Sequence, residues 1–298
     1  MPNPQFRLFD THAHFFTNDI ARYPADASGA REGRDVMMAR LERDPATAER
    51  VLALWNACGV AGGAAVQYNT VYKTDNRYTI DVADAHHDRV SAVLILDAAA
   101  PETPEQLRAL TGRHNVSGLR LFGYPDAAGE YPWLDSPAAL KTWDVAAEMR
   151  LNMVVMYAPG APSFAALRRV AALARRYPQT VIALDHCGWP GPHGGAAGTI
   201  GPEHLELVDV PNIHFKLTQI NLNRFAESAI DPADFVRRMV ETYGAGRLMW
   251  GSDLGNTKVS YAEMAEQAIA ATQLLAEADR HRVLHDNGAR LFGDRLGS

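Results

Sequence analysis

The chain has 298 residues, 47% of them hydrophobic and 21% charged, with 29 basic against 35 acidic side chains and a net charge of −6. That is the composition of an ordinary soluble core. It lacks the Lys/Arg blocks of a nucleic-acid footprint and any apolar run near the roughly 18 residues that span a bilayer, so neither nucleic acid nor membrane is an expected partner.

The N-terminal stretch MPNPQFRLFDTHAHF has no basic region followed by an apolar one, which argues against a secretory signal. Cys58 and Cys187 show no CxxC spacing, so neither a disulfide framework nor a cysteine zinc site is implied. A reducing cytoplasm is the expected setting. A first strand is predicted over 6–13 (FRLFDTHA), followed by a helix in DPATAERVLALWNACG that begins at Asp44-Pro45, with Val51, Leu52, Trp55 and Cys58 at helical spacing and Gly59 as a stop. Strands follow at 62–68 (GGAAVQY) and 91–97 (SAVLILD). TPEQLRAL then offers Thr103 as N-cap, Pro104 in the first turn and Gln106 at the capping-box position. The remaining strands are predicted at 117–122, 151–157, 181–187, 212–218 and 247–252. Between and after them, SPAALKTWDVAAEM and DPADFVRRMVETYG repeat the cap-then-proline start, while SFAALRRVAALARRYP and YAEMAEQAIAATQLLAEA are strong helix formers.

Eight strands alternating with helices imply a parallel sheet. In this length they imply an α/β fold of the closed (β/α)8 TIM-barrel type, formed by residues 1–298 as one domain. A doubly wound open sheet would show a glycine-rich turn after its first strand; here that place holds His-Ala-His.

A barrel of this type carries its active site at the C-terminal ends of its strands. Strand 1 ends at His12 and His14, which period-2 geometry puts on one face with Asp10 below them. Strand 2 ends near Gln67 and Asn69, strand 4 presents Arg120, and strand 5 ends at Tyr157. Strand 6 ends in Asp185-His186, strand 7 carries His214 and Lys216, and strand 8 ends at Asp253. His12, His14, His186 and Asp253 make a coherent set. Neutral imidazole and carboxylate are the usual ligands of a catalytic Zn²⁺ or similar ion. The same four also work without metal, with imidazoles polarising a carbonyl and the aspartate acting as general base on water.

Taken singly, each has a plainer reading: Asp253 as a turn cap, His186 as a core histidine bonded to a backbone carbonyl. Arg120 is either a buried ion-pair partner, of Asp97 for instance, or an anion clamp. Lys216 reads as the structural partner of a neighbouring acid and His214 as a barrel-interior residue. His86, His87, His193, His281 and His285 lie in helical or loop context and receive no role, with His193 in a loop near the mouth.

DTHAHF on strand 1, DH on strand 6 and WGSD on strand 8 together resemble the amidohydrolase superfamily, and more narrowly its lactonase-like branch of pyrone-dicarboxylate and sugar-lactone hydrolases. HxH alone is weak evidence; the three motifs in this order are specific for the branch, though not for substrate. The likeness also takes in VQYNTVYKTDNRY, SGLRLF and DNGARLFG. It implies hydrolysis of an ester or lactone, with Asp253 activating water and His12, His14 and His186, or one divalent metal (Zn or Mn) that they hold with Asp253, polarising the carbonyl. Members of the branch occur with one metal and with none. Superfamily members with two metals place a carboxylated lysine or a glutamate at strand 4, where this chain has Arg120, so a second metal is not expected.

Arg120 points to a substrate carboxylate. The pyrone-dicarboxylate enzyme has an arginine where this chain has Trp189, which removes one expected clamp; Arg224 offers another on a looser alignment. Trp189, Tyr157 and Tyr124 imply an aromatic pocket, and Asn76 and Asn256 are candidate polar contacts or loop caps. A small cyclic ester with at most one carboxylate is the expected substrate, and a homo-oligomer is left open. The long segments after strands 1 and 6 read equally as lids or as tolerated insertions. The rival activity is metal-dependent decarboxylation of an aromatic or unsaturated acid. Related decarboxylases often carry Glu-x-His on strand 1, and His-Ala-His favours hydrolysis. A barrel that only binds ligand would show a broken His/His/His/Asp set, and this set is intact.

Overall fold

The computed structural model describes residues 6–160, 163–191 and 199–293. The eight strands are β1 (Leu8–Ala13), β2 (Val60–Val66), β3 (Val90–Ile95), β4 (Val116–Gly123), β5 (Asn152–Tyr157), β6 (Ile182–Leu184), β7 (Ile213–Thr218) and β8 (Leu248–Gly251). They pair in chain order, each parallel to the one before. The circle closes beyond the end of β8. There the Asp253 N–H donates to His12 O at 2.7 Å and the His14 N–H donates to Leu254 O at 3.3 Å. The TIM barrel expected from the strand count is the observed fold.

Strands covered by helices outside and side chains inside are buried on both faces, and β1, β3 and β7 are buried at every residue. Phe9, Ala64, Val66, Val93, Val154, Ala183 and Met249 fill the barrel interior together with Phe292 from the C-terminal helix. That helix (Asn287–Phe292) seals the N-terminal end of the barrel. Ser91 Oγ donates to Phe292 O at 2.7 Å, and Asn152 Nδ2 donates to Leu291 O at 2.5 Å. A larger apolar cluster lies between the strands and the surrounding helices. Among the described residues no helix is long and apolar enough to cross a membrane.

Two helix starts differ from expectation. Asp44 closes the helix Arg34–Arg43, and it is Thr47 that caps Ala48–Cys58 by accepting the Arg50 N–H. Thr103 lies inside its helix, and its hydroxyl donates to Asp97 O at 2.6 Å instead of capping. The cap-then-proline starts at Ser136 and Asp231 form as predicted, accepting the N–H of Ala139 and of Ala233.

The largest difference is at strand 6, expected over 181–187 but ending at Leu184. His186, Cys187, Gly188 and Trp189 follow with φ of 52°, 55°, 69° and 58°, a left-handed turn that no strand accommodates. His193 and the rest of 192–198 lie outside the described residues.

Candidate active site

β1 does not keep its two-residue alternation. Its register against β2 shifts between Asp10 and Ala13. The irregularity leaves both His12 and His14 facing Asp253 but takes Asp10 away from them. Asp10 Oδ1 accepts the N–H groups of Ser252 (2.8 Å) and His12 (3.0 Å), and Oδ2 accepts the Tyr261 hydroxyl at 2.8 Å. Asp10 therefore ties β1 to the segment after β8 and to the helix outside it; it is a brace, not a floor to the site. Gly251 makes room for the first imidazole, since a Cβ there would lie 2.6 Å from His12 Cβ.

Asp253 follows β8 with its backbone in the left-handed region, φ 54°. Asn256 Nδ2 donates to its Oδ1 at 2.8 Å. The same oxygen lies 3.3 Å from His14 Nε2 and 3.7 Å from His12 Nε2. Asp253 Oδ2 is buried and has no hydrogen-bond partner among the described residues. Burial pushes this carboxyl up, and a hydrogen bond from His14 with positive charge on the neighbouring His12 and His186, wherever those rings are protonated, pulls it below the usual carboxylate range.

Two of the three imidazoles have their tautomers set by what they touch. His14 Nδ1 lies 2.8 Å from Val66 O. A carbonyl only accepts, so Nδ1 carries a proton, and in the neutral form of the ring Nε2 turns a lone pair toward Asp253. Tyr68 stacks on the same ring, centroids 4.7 Å apart, and is itself fixed by its hydroxyl on Gly255 O.

For His186 the chain of hydrogen bonds is longer. Asn221 Nδ2 donates to His186 O at 2.9 Å, which leaves Asn221 Oδ1 as the acceptor for the Thr218 N–H and hydroxyl. With its proton used, Thr218 Oγ1 accepts from His186 Nδ1 at 2.7 Å, and the unprotonated Nε2 is left free. Burial keeps His186 and His12 neutral: His186 is pushed down from its ordinary value, and His12 is lowered to about 3 despite the pull of Asp185.

Ring lone pairs facing a carboxylate oxygen repel unless a cation lies between them. His12, His14 and Asp253 each offer one ligand atom, all within 4.8 Å of one another, and all three residues are buried. Two of the buried atoms, His12 Nε2 and Asp253 Oδ2, have no hydrogen-bond partner among the described residues. Nitrogen and oxygen donors so arranged fit a divalent ion. His186, expected as a fourth ligand, does not join that cluster. Thr218 and the left-handed turn hold its ring beside the group, 5.8 Å from the His12 ring between centroids.

Beneath the imidazoles lies a buried charge cluster centred on Asp185. Its Oδ2 accepts Arg120 Nε–H at 2.8 Å, its Oδ1 lies 3.1 Å from His12 Nδ1, and Lys216 Nζ is 3.6 Å away. Burial raises the Asp185 carboxyl, and His12, Arg120 and Lys216 together more than reverse it, holding it well below the usual range. Lys216 is lowered to about 8 by burial and stands over the Phe292 ring at 4.8 Å. The acid that pairs with Arg120 is thus Asp185 and not Asp97. Sequence reasoning gave Asp185 no role, although two cations on strands of an apolar barrel demand a buried anion.

The expected substrate contacts fare differently. Tyr157 is buried, and its hydroxyl donates to Gly188 O at 3.1 Å, while its own carbonyl accepts Trp189 Nε1–H at 2.7 Å. It braces the left-handed turn. Asn76 is buried with Nδ2 on Thr74 O and Ile95 O and Oδ1 on the Ile95 N–H; its hydrogen bonds join the end of β3 to the loop before Arg77, so it is a clamp within the fold. Asn256 is spent on Asp253. Trp189 packs on His186, centroids 4.5 Å apart, and Arg224 lies over its outer side at 5.4 Å.

Known proteins similar to this chain include lactone hydrolases and amidohydrolases. An L-fucono-1,5-lactonase from Burkholderia ambifaria is 28% identical over 184 residues, 60% of this chain and 60% of that protein's length. A 4-sulfomuconolactone hydrolase from Hydrogenophaga intermedia is 25% identical over 295 residues, 96% of this chain and 88% of that protein. Among solved structures, an amidohydrolase from Burkholderia multivorans with bound zinc superposes with a TM-score of 0.71 at 21% identity, covering 96% of this chain and 99% of that one. A family model described as amidohydrolase matches residues 9–293, and the chain belongs to that family.

Proposed function

We propose that the protein hydrolyses a small lactone. One observation carries the reading: His12, His14 and Asp253 each bring a ligand atom to one buried group, and His14, with Nδ1 on Val66 O, has Nε2 left for that group. Unprotonated Nε2 atoms have no proton to give a carbonyl oxygen. The arrangement therefore favours a divalent metal, Zn or Mn, held by His12, His14 and Asp253, over imidazoles acting alone. Such an ion polarises an ester carbonyl and acidifies water.

The chain's own residues do the rest. Asp253 is ionised at neutral pH and takes one proton from water through Oδ2 as the water oxygen attacks the carbonyl carbon. As the tetrahedral intermediate collapses, the C–O bond of the ring breaks and Asp253 returns that proton to the leaving ring oxygen, giving a hydroxy acid. His186, braced by Thr218, presents Nε2 beside the reacting centre. Arg120, held by Asp185 through its inner nitrogen, supplies a cation for a substrate carboxylate or other anion. The names of the two relatives, a sugar lactonase and a sulfonated muconolactone hydrolase, support a cyclic ester that is sugar-derived or anionic.

The test is metal analysis of the purified protein, with turnover of sugar and carboxylated lactones measured before and after chelation. We expect about one ion per chain and activity that is lost on chelation and restored by Zn²⁺ or Mn²⁺. Full activity in metal-free protein would overturn the metal assignment. Carbon dioxide release from aromatic acids, with no lactone opened, would overturn the reaction.

A further inference from the structure

His14 and His186 each have Nδ1 against a neutral acceptor whose proton balance is settled, Val66 O and Thr218 Oγ1. His12 alone has a charged one. Its Nδ1 lies 3.1 Å from Asp185 Oδ1, both side chains fully buried. The approach is poorly aligned for a hydrogen bond, yet neither atom has another hydrogen-bond partner among the described residues. An ionised carboxylate only accepts. Its other oxygen is taken by Arg120 Nε–H at 2.8 Å, and Lys216 Nζ at 3.6 Å adds a second cation.

We propose that Asp185 is a positioning residue that acts on two partners at once. Oδ1 keeps the proton of His12 on Nδ1, so that Nε2 faces Asp253 unprotonated, and Oδ2 fixes the Arg120 guanidinium by its inner nitrogen. One side chain thereby sets both the metal-facing tautomer of His12 and the placement of the cation assigned to substrate binding. The inference rests on the metal-hydrolase reading above for its consequence, but its structural content stands without any substrate.

The geometry dictates the variant. Asp185→Asn keeps the shape but offers one acceptor oxygen to two donors and turns an N–H group on one of them. The readout is the protonation site of each histidine nitrogen, followed by NMR on ¹⁵N-histidine-labelled protein as purified, with Zn²⁺ affinity, kcat and KM measured alongside. In wild type, His12 is expected to carry its proton on Nδ1. In Asp185→Asn that signal should move to Nε2 or vanish. His14, pinned by a backbone carbonyl that the substitution does not touch, keeps its own Nδ1 proton as internal reference. Disturbing the partner that orients a ligating histidine costs about 10- to 100-fold in metal affinity or activity. A loss of that size is expected in Zn²⁺ affinity and in kcat, with KM rising for anionic lactones and unchanged for neutral ones.

A His12 proton on Nε2 in the wild type overturns the proposal, and that result needs no variant to fold. So does an Asp185→Asn protein with wild-type tautomers and with Zn²⁺ affinity and kcat within twofold. If wild type opens no lactone, the hydrolase reading fails, while the tautomer and Zn²⁺ measurements still decide the role of Asp185.

Discussion

Tyr157→Phe separates two accounts of the same residue. Read from the sequence, Tyr157 is a candidate substrate contact at the end of a strand. In the structure its hydroxyl supports the turn that carries His186. That turn is costly. His186, Cys187 and Trp189 are non-glycine residues in the left-handed region, together about 3–6 kcal/mol at about 1–2 kcal/mol each. Hydrogen bonds to the turn offset this, among them two to Gly188 O, from Tyr157 Oη at 3.1 Å and His204 Nε2 at 3.0 Å.

Removing the hydroxyl leaves the carbonyl one partner, so the loss is that of a single net hydrogen bond, about 0.5–1.5 kcal/mol. For 298 residues the unfolding entropy near the midpoint is about 0.63 kcal/mol/K, at about 2.1 cal/mol/K per residue. The expected fall in Tm is therefore about 1–2.5 °C. A thermal melt alongside steady-state kinetics checks it. KM should stay within twofold while kcat falls a few-fold, because the turn positions His186 and does not touch the lactone. An unchanged Tm with KM raised about tenfold, the scale of one lost hydrogen bond of about 1.4 kcal/mol, would show that the hydroxyl binds substrate and would refute the bracing argument.

Asp253→Asn should lower kcat by at least about 10²–10⁴-fold, the range of a lost general base, with circular dichroism unchanged; a variant with full turnover would mean that another group activates water. Asn76→Ala removes three hydrogen bonds and leaves both the N–H and C=O of Ile95 short of a partner. It should cost about 2–4 kcal/mol, seen as a Tm lowered by about 3–6 °C, while KM of the folded enzyme stays put; a KM defect without a stability defect would restore it to the substrate site. His214, buried on β7, is pushed from 6.5 down to about 4, chiefly by burial and further by Arg290 and Arg247. The unfolded chain takes up this proton as pH falls through about 6.5 and the native protein only near the lower value, so the stability present above the first is lost on the way to the second. His214→Leu should flatten that acid limb by up to about 1.4 kcal/mol per pH unit, measured by urea melts at pH 7 and pH 5, and an acid limb as steep as wild type would show that the ring does not titrate this way.

The sequence by itself determined the architecture, because its signals are local and repeat. Each strand is a short apolar run, each helix is marked by a cap, a proline or a 3.6-residue stripe, and eight such units leave a closed parallel barrel as the economical solution. It also determined which imidazoles and which carboxylate stand at the C-terminal edge, since strand order alone brings the ends of β1, β6 and β8 to one mouth.

Only the tertiary structure decided what those residues do to one another. The register shift in β1 turned Asp10 from a supposed floor into a brace, and the left-handed turn after Leu184 took His186 out of the strand and set it beside the His12, His14 and Asp253 group. Arg120, Lys216 and Asp185 come from β4, β7 and the turn after β6, with Arg120 and Lys216 65 and 31 positions from Asp185 along the chain. Their pairing is a matter of burial: inside an apolar barrel a charge must find its counter-charge, and which one it finds depends on which side chains the closed sheet brings within reach. Tyr157, Asn76 and Asn256 teach the same lesson. Side-chain hydroxyls and amides at strand ends look alike in a sequence whether they meet a ligand or a backbone, and the difference appears only when the backbone groups that need a partner are in place.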